Sequence, residues 1–274
     1  MIVTAIIIAL GFISYYIQNK NPLNHINNYR VFYGRPEKDY KNSFKAYDLL
    51  ILEPSFYKKA DVKELRADNK RLYFGYLSVM EVSHWDADLV ELMYIKDYLE
   101  INGKRYKKDG SVNFIGDIRN ESYRKLLIKL IQERVVDKGF QGVFLDTVDW
   151  IDYFGYNDKE LSEAFKKSYE IFLKEVSNKY PELLIIQNRS FDTYESFAKS
   201  YVHGIMWENF DYTKMFNEDL TRTIHLAKNK WLYGNQVLTI SHQEYEKNLL
   251  WSKRLSWVFM PSYNSYSSWP GTKE

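Results

Sequence analysis

Residues Gly139–Trp150 read GFQGVFLDTVDW. The centre, Val143-Phe144-Leu145, is uninterrupted apolar chain, and Gly139 just before it is a residue that ends helices and turns the chain. That pattern describes a strand entering a protein interior. Within four residues of its last apolar side chain the same strand yields two carboxylates, Asp146 and Asp149. An interior strand that ends in acid is unusual as pure scaffold. It is what a parallel barrel requires of a strand whose carboxyl end opens into a site.

Working outward, seven further runs share the character of this one. They are Val31–Gly34, Asp48–Glu53, Leu72–Val82, Leu183–Gln187, Gly204–Trp207, Gln236–Ile240 and Trp257–Met260. They are short, rich in branched and aromatic residues, and lack the alternation of a half-exposed sheet, as strands buried on both faces do. Amphipathic stretches lie between them. In 121–137, Tyr123, Leu126, Leu127, Leu130 and Ile131 form one apolar stripe behind Asn120, a candidate N-cap. Leu161, Phe165, Tyr169, Phe172 and Val176 repeat the spacing. Eight strands alternating with helices predict an α/β fold of the (β/α)8 TIM-barrel type over residues 21–274. A doubly wound sheet is the alternative, but no glycine-rich phosphate loop follows the first strand. The tail 261–274 is too short for a closing helix, and the segment before residue 30 is expected to cover that gap.

Ile2–Ile17 departs from the rest: sixteen residues, uncharged and mostly apolar. That falls a little short of the ~20 that span a bilayer and exceeds a usual signal-peptide core. No small-x-small cleavage site follows it. Residues 1–20 are therefore expected to be a signal anchor, with a cleaved signal peptide or a buried helix as alternatives. The first charged side chain, Lys20, lies after the segment, against the positive-inside expectation for an outward-facing domain.

Composition narrows the chemistry. The chain has 274 residues, a net charge of +2 and no cysteine. Bulk charge gives no reason to expect nucleic acid, and disulfides, thiolate catalysis and cysteine-ligated zinc are all removed. The five histidines, at 25, 84, 203, 225 and 242, show no H-x-x-x-H spacing, so no metal or other cofactor is expected. The 24 Tyr and 7 Trp suit both packing and sugar stacking.

The carboxyl ends of the expected strands carry Glu53, Glu81, Asp146, Asp149, Glu208 and Asp211, with only Arg35 and Arg189 as cations. Crowded carboxylates raise one another's pKa values, so such a rim points to function. Asp149 and Asp211 also sit where helix caps are needed. Tyr33, Asn188, His242 and Asn264 reach the same rim, as do the prospective stacking rings Tyr76, Trp85, Trp150 and Trp207. A glycosidase pair, a carboxylate ring around a divalent cation, and a carbohydrate-binding barrel without turnover all fit such a rim.

FYGRP, YDLLILEPSF, GYLSVMEVS, DIRNESYRKLL, GFQGVFLDTVD, QNRSF and WENF occur in that order between Arg30 and Asp211. Together they resemble the endo-α-1,4-polygalactosaminidase family, and most of all the glycoside hydrolase domains of Pel exopolysaccharide systems. FMPSYNSYSSW, beyond them, follows the family pattern loosely. The resemblance implies a barrel that cleaves polymers of galactosamine and N-acetylgalactosamine, with Asp146 and Glu208 carrying the chemistry. It implies a secreted or membrane-tethered enzyme and makes exopolysaccharide synthesis and export proteins prospective partners. Partly deacetylated galactosaminan is cationic, and an acidic rim on a nearly neutral protein would attract it. Tyr33, Glu53, Glu81, Asp149, Asn188 and Asp211 are the expected substrate contacts. Asp146 is assigned as nucleophile and Glu208 as general acid/base, with exchanged roles left open. Burial beside Trp207 is expected to raise the Glu208 pKa.

Overall fold

In the computed structural model, which describes residues 11, 14, 16–37, 40–84, 86–108, 110–263 and 265–269, eight strands form one sheet in chain order. They are β1 (Tyr29–Phe32), β2 (Leu49–Leu52), β3 (Leu72–Ser78), β4 (Gly142–Asp146), β5 (Leu184–Asn188), β6 (Gly204–Trp207), β7 (Gln236–Ser241) and β8 (Val258–Pro261). Every neighbouring pair is parallel. The sheet curls into a nearly closed (β/α)8 barrel. The apolar runs lack alternation because each strand is buried twice. Val31, Ile51, Phe74, Phe144, Ile186, Met206 and Ile240 fill the barrel. Phe32, Leu50, Leu52, Val143, Leu145 and Ile205, one residue out of phase, pack beneath the outer helices.

The sequence overextends the third strand. Leu72–Val82 is not continuous: β3 stops at Ser78, whose Oγ donates to the Glu81 carbonyl at 2.7 Å. Glu81–Val82 then pairs antiparallel with Phe114–Ile115, and Glu100–Ile101 with Lys104–Arg105. Ladders two residues long carry no periodicity, so residues 81–116 left no pattern to read. The helix expected over 121–137 also divides. It is α-helical over Glu121–Leu130 and widens to a π-helix over Ile131–Val136, before Gly139 turns at φ +91°. Asn120 stands at the N-cap position, but its side chain donates to the Lys96 carbonyl instead of capping.

The seam between β8 and β1 corrects another expectation. Among the described residues it is covered by the tail and not by the N-terminal segment. The Tyr33 amide donates to the Tyr266 carbonyl at 2.7 Å, and the Trp269 ring packs edge-on to Phe32 at 5.1 Å and against Phe44 at 5.1 Å. One indole thus fills the space of the absent eighth helix. The N-terminal residues take a different place, at the end of the barrel where the strands begin. Leu23 and Ile26 enter the barrel core from below. Asn21 Nδ2 donates to the carbonyls of His203 (2.6 Å) and Gly234 (2.8 Å). The buried Lys230 ammonium bonds Asn24 Oδ1 and Gln236 Oε1, both at 2.8 Å, and burial lowers its pKa to about 8. Most of the apolar run, residues 1–10, 12, 13 and 15, lies outside the described residues. Among the described residues no helix is long and apolar enough to cross a membrane.

Trp269→Ala should therefore cost roughly 2–4 kcal/mol, as deletion of a packed aromatic does. Urea titration of both proteins reads the difference. A loss under about 0.5 kcal/mol, the level of an ordinary surface substitution, would mean that the indole does not close the seam.

Candidate active site

Period-two geometry assembles the site. Residues of the same parity as the interior side chains emerge at the carboxyl end pointing inward. Val31 is followed in phase by Tyr33, Phe74 by Tyr76, Phe144 by Asp146, Ile186 by Asn188 and Met206 by Glu208. Phe144-Leu145-Asp146 thus answers why the strand ends in acid: the aspartate is the next inward position above Phe144. Trp207, one residue out of phase, faces outward. It is 3% exposed and packs against Phe191, Phe210 and Trp257, so it offers no stacking surface to the rim.

Asn188 sits between the two carboxylates because β5 lies between β4 and β6. Its Nδ2 donates to Asp146 Oδ1 at 2.7 Å. Asn188 is 4% exposed and its Oδ1 has no partner. Asp146 Oδ1 further accepts from the Thr147 amide at 2.8 Å. Glu208 Oε1 accepts from the Tyr266 hydroxyl at 3.1 Å. Burial pushes the Glu208 pKa above the usual carboxylate range and the neighbouring Asp146 charge adds to it, against the opposing bonds from Asn188 and Tyr266. The phenols of Tyr33 and Tyr76 are likewise pushed up, first by burial and then by Asp146, so both remain proton donors. Their half-buried rings lie 4.6 Å apart.

Backbone strain follows the same three strands. Thr147 after Asp146 (φ +61°), Arg189 and Ser190 after Asn188 (φ +53° and +52°), and Asn209 after Glu208 (φ +57°) are all left-handed. For a β-branched residue such as Thr147 that conformation costs on the order of 1–3 kcal/mol. Its Oγ1 offsets the cost by accepting from the amides of Met80 (2.9 Å) and Glu81 (3.1 Å). Gln187 Nε2 holds the β5 turn through the carbonyls of Arg189 (2.9 Å) and Ser190 (3.2 Å). Each turn swings the chain away just above its functional side chain, leaving the mouth open.

The other rim carboxylates have separate surroundings. Asp149 pairs with Arg189 at 3.2 Å and makes no cap hydrogen bond; burial raises its pKa while Arg189 opposes that rise. Glu53 is buried and caps a short turn by accepting from the Ser55 amide at 3.0 Å. Glu81 accepts from Trp150 Nε1 (2.8 Å) and Asn113 Nδ2 (3.1 Å). Both line a small cavity with Tyr76, Ser78, Asp86 and Arg134 beside the main mouth. Asp211 caps the turn at Tyr212–Lys214 through the Thr213 amide. Trp150 is buried against Tyr106 and Phe154, and Trp85 and Asn264 lie outside the described residues. His203 starts β6 at the opposite end, where its Nδ1 accepts from the Ile185 amide. Tyr266 escaped the sequence reading; its only signal was the tyrosine-rich tail after β8. Among the described residues no group of three or more His, Cys, Asp or Glu is arranged to hold a metal ion.

Inward carboxylates at the carboxyl rim of a (β/α)8 barrel are the arrangement of a carbohydrate-cleaving enzyme. The chain belongs to glycoside-hydrolase family GH114, whose model matches residues 21–258, and it is a glycoside hydrolase. This agrees with the seven-motif resemblance. Among solved structures, the glycoside hydrolase domain of PelA from Pseudomonas aeruginosa is similar with a TM-score of 0.70 at 19% identity, over 89% of this chain and 97% of that one. Aspergillus fumigatus Ega3 in complex with galactosamine gives 0.57 at 14% identity, over 78% and 76% of the two chains. An α-amylase from Geobacillus thermoleovorans complexed with acarbose gives 0.53 at 11% identity, over 88% and 70%. At these identities the structures share the barrel. No curated protein matches the sequence.

The raised pKa of Glu208 carries a sign for stability. The folded state holds this proton more tightly than the unfolded chain, so the wild type loses stability as pH rises through the elevated value. Glu208→Gln cannot titrate and keeps an acceptor for Tyr266. It should raise the melting temperature at pH 7, with the gain vanishing below the ordinary glutamate pKa of 4.5. Calorimetry across pH 4 to 8 checks this; a pH-independent difference would show that burial does not strain the charge.

Proposed function

We propose that the enzyme cleaves α-1,4-linked galactosamine and N-acetylgalactosamine exopolysaccharide of the kind found in biofilms, using Asp146 and Glu208 as its carboxylate pair. The single observation that carries this reading is the placement of two inward acids, Asp146 on β4 and Glu208 on β6, either side of β5, whose Asn188 amide donates to Asp146. Asp146 is held at Oδ1 by Asn188 and Thr147. Its other oxygen is then the attacking atom. Glu208, pushed up by burial, keeps a proton for the glycosidic oxygen and afterwards serves as base toward water.

The substrate class is supported by chemistry and by likeness. The Ega3 relative was solved with galactosamine and the PelA relative is a glycoside hydrolase domain. Asp149, Glu53 and Glu81 beside the mouth suit a polymer bearing free ammonium groups, and the Tyr33 and Tyr76 rings suit its apolar faces. Substrate contacts are accordingly assigned to Tyr33, Asn188 and Asp149, with Glu53, Glu81 and Asp211 as outlying acids. We further infer an extracytoplasmic enzyme tethered by the apolar run Ile2–Ile17, where such a polymer is met, alongside the proteins that make and export it.

Incubation with partly deacetylated galactosaminan should release oligosaccharides that mass spectrometry resolves as galactosamine and N-acetylgalactosamine units. Asp146→Asn should lower turnover by about 10²–10⁴-fold, the range for one positioned catalytic group, while polymer binding holds. Release of no fragments would overturn the substrate, and wild-type turnover by the variant would overturn the role of Asp146.

A further inference from the structure

The barrel end opposite the catalytic mouth carries an apolar surface that neither catalysis nor packing uses. The helix Leu220–Tyr233 ends there in Trp231, Leu232 and Tyr233, which are 44%, 39% and 42% exposed. Tyr16 stands on the same side and is 61% exposed. Three successive large side chains left in water at a helix end cost burial that a monomer gains nothing by losing. Two of them, with Tyr16, are the residue types that settle at a bilayer interface, where an apolar ring meets a polar edge.

The N-terminal chain comes to the same place. Ser14 Oγ donates to the Trp231 carbonyl at 2.8 Å, and Gly11 and Ser14 line one cavity with Trp231, Gln18 and His25. Ile17 packs against Gly234. The sequence that precedes Gly11 is Ile2–Leu10, nine residues without a charge. The same barrel end presents exposed Lys20, Lys70, Lys179, Lys228, Lys253 and Arg254. Cations at helix C-termini answer the helix dipole and by themselves imply no partner. Here they share the barrel end with the exposed aromatics. Lys20 also lies over the Tyr16 ring at 4.5 Å.

We propose that this face, built on Trp231, Leu232, Tyr233 and Tyr16, rests on an anionic phospholipid surface and holds the barrel upright, with the Asp146–Glu208 mouth directed away from the bilayer. The proposal builds on the tether inferred above and adds a second, oriented contact. An apolar run alone would leave the barrel free to tumble at its end. A seated base fixes the mouth about 20–30 Å above the lipid, the length of the strands with their loops, where a polymer chain has access.

The test uses the full chain reconstituted into phosphatidylcholine vesicles containing phosphatidylglycerol, prepared with and without brominated acyl chains. Bromolipid should quench tryptophan emission of the wild type, and Trp231→Phe should lower the quenched fraction at least about twofold, as expected of an interfacial indole. Trp231 is exposed, so the variant is expected to fold. Hydrolysis by the variant should be unchanged and verifies that it does. Replacing phosphatidylglycerol by phosphatidylcholine should weaken quenching, because the exposed cations lose their counter-charge. Equal quenching of wild type and Trp231→Phe in vesicle-bound protein would overturn the seated face and leave the tether standing. Failure of the chain to associate with vesicles would overturn both. A detergent-solubilised dimer dissolved by Trp231→Phe, without lipid quenching, would assign the patch to a second copy and overturn the proposal as well.

Discussion

Asp146 and Glu208, both partly buried, face one mouth, and Asn188 of the intervening strand stands between them, bound to Asp146. Two carboxylates brought together away from water repel, and the pair distributes the strain unevenly. Asp146 receives hydrogen bonds from Asn188 and Thr147. Glu208 receives one from Tyr266, and burial makes its proton harder to remove. Similar chemical groups thereby stand in different surroundings, and Glu208 is the one held as an acid. Everything else at the rim serves that asymmetry. The left-handed turns after β4, β5 and β6 clear the space above it, and the Thr147 hydroxyl and Gln187 amide secure two of those turns.

Much of this was legible in the sequence, for a simple reason. Strands buried on both faces write themselves as apolar runs, so all eight appear, with ends displaced by a residue or two except in β3, which the sequence overextends by four residues. The side-chain period of two then fixes which rim residues turn inward. Phe144 and Asp146, Ile186 and Asn188, and Met206 and Glu208 could be paired from spacing alone. Trp207 shows the same rule from the other side, since its odd phase sends it under the helices and away from any sugar.

What stayed hidden lacked a period or came from far along the chain. The excursion over residues 81–116 is built from two-residue ladders, and it turns Glu81 toward Trp150 and Asn113. Asp149 and Asp211 occupy equivalent-looking places after strands, yet only Asp211 caps a turn, because Arg189 claims Asp149. Tyr266 reaches Glu208 from a tail whose sequence shows only a surplus of tyrosine and serine. The same tail closes the seam with Trp269, a task that distance along the chain could not assign. The N-terminal residues, read as possible cover for that seam, instead seal the barrel base through Asn21 and Leu23.

The molecule is thus polarised: acids crowd the mouth, while exposed cations and aromatics occupy the base. The central claim, however, is that Asp146 attacks while Glu208 supplies the proton, and the stereochemistry of cleavage reads it directly. Proton NMR of the first oligosaccharide released from a galactosaminan, recorded before mutarotation, reports the configuration of the new reducing end. The account predicts the α-anomer, retained through a glycosyl-Asp146 intermediate at a carboxyl separation of about 5 Å. First appearance of the β-anomer would mean that a water, and not Asp146, attacks the sugar, and would contradict it.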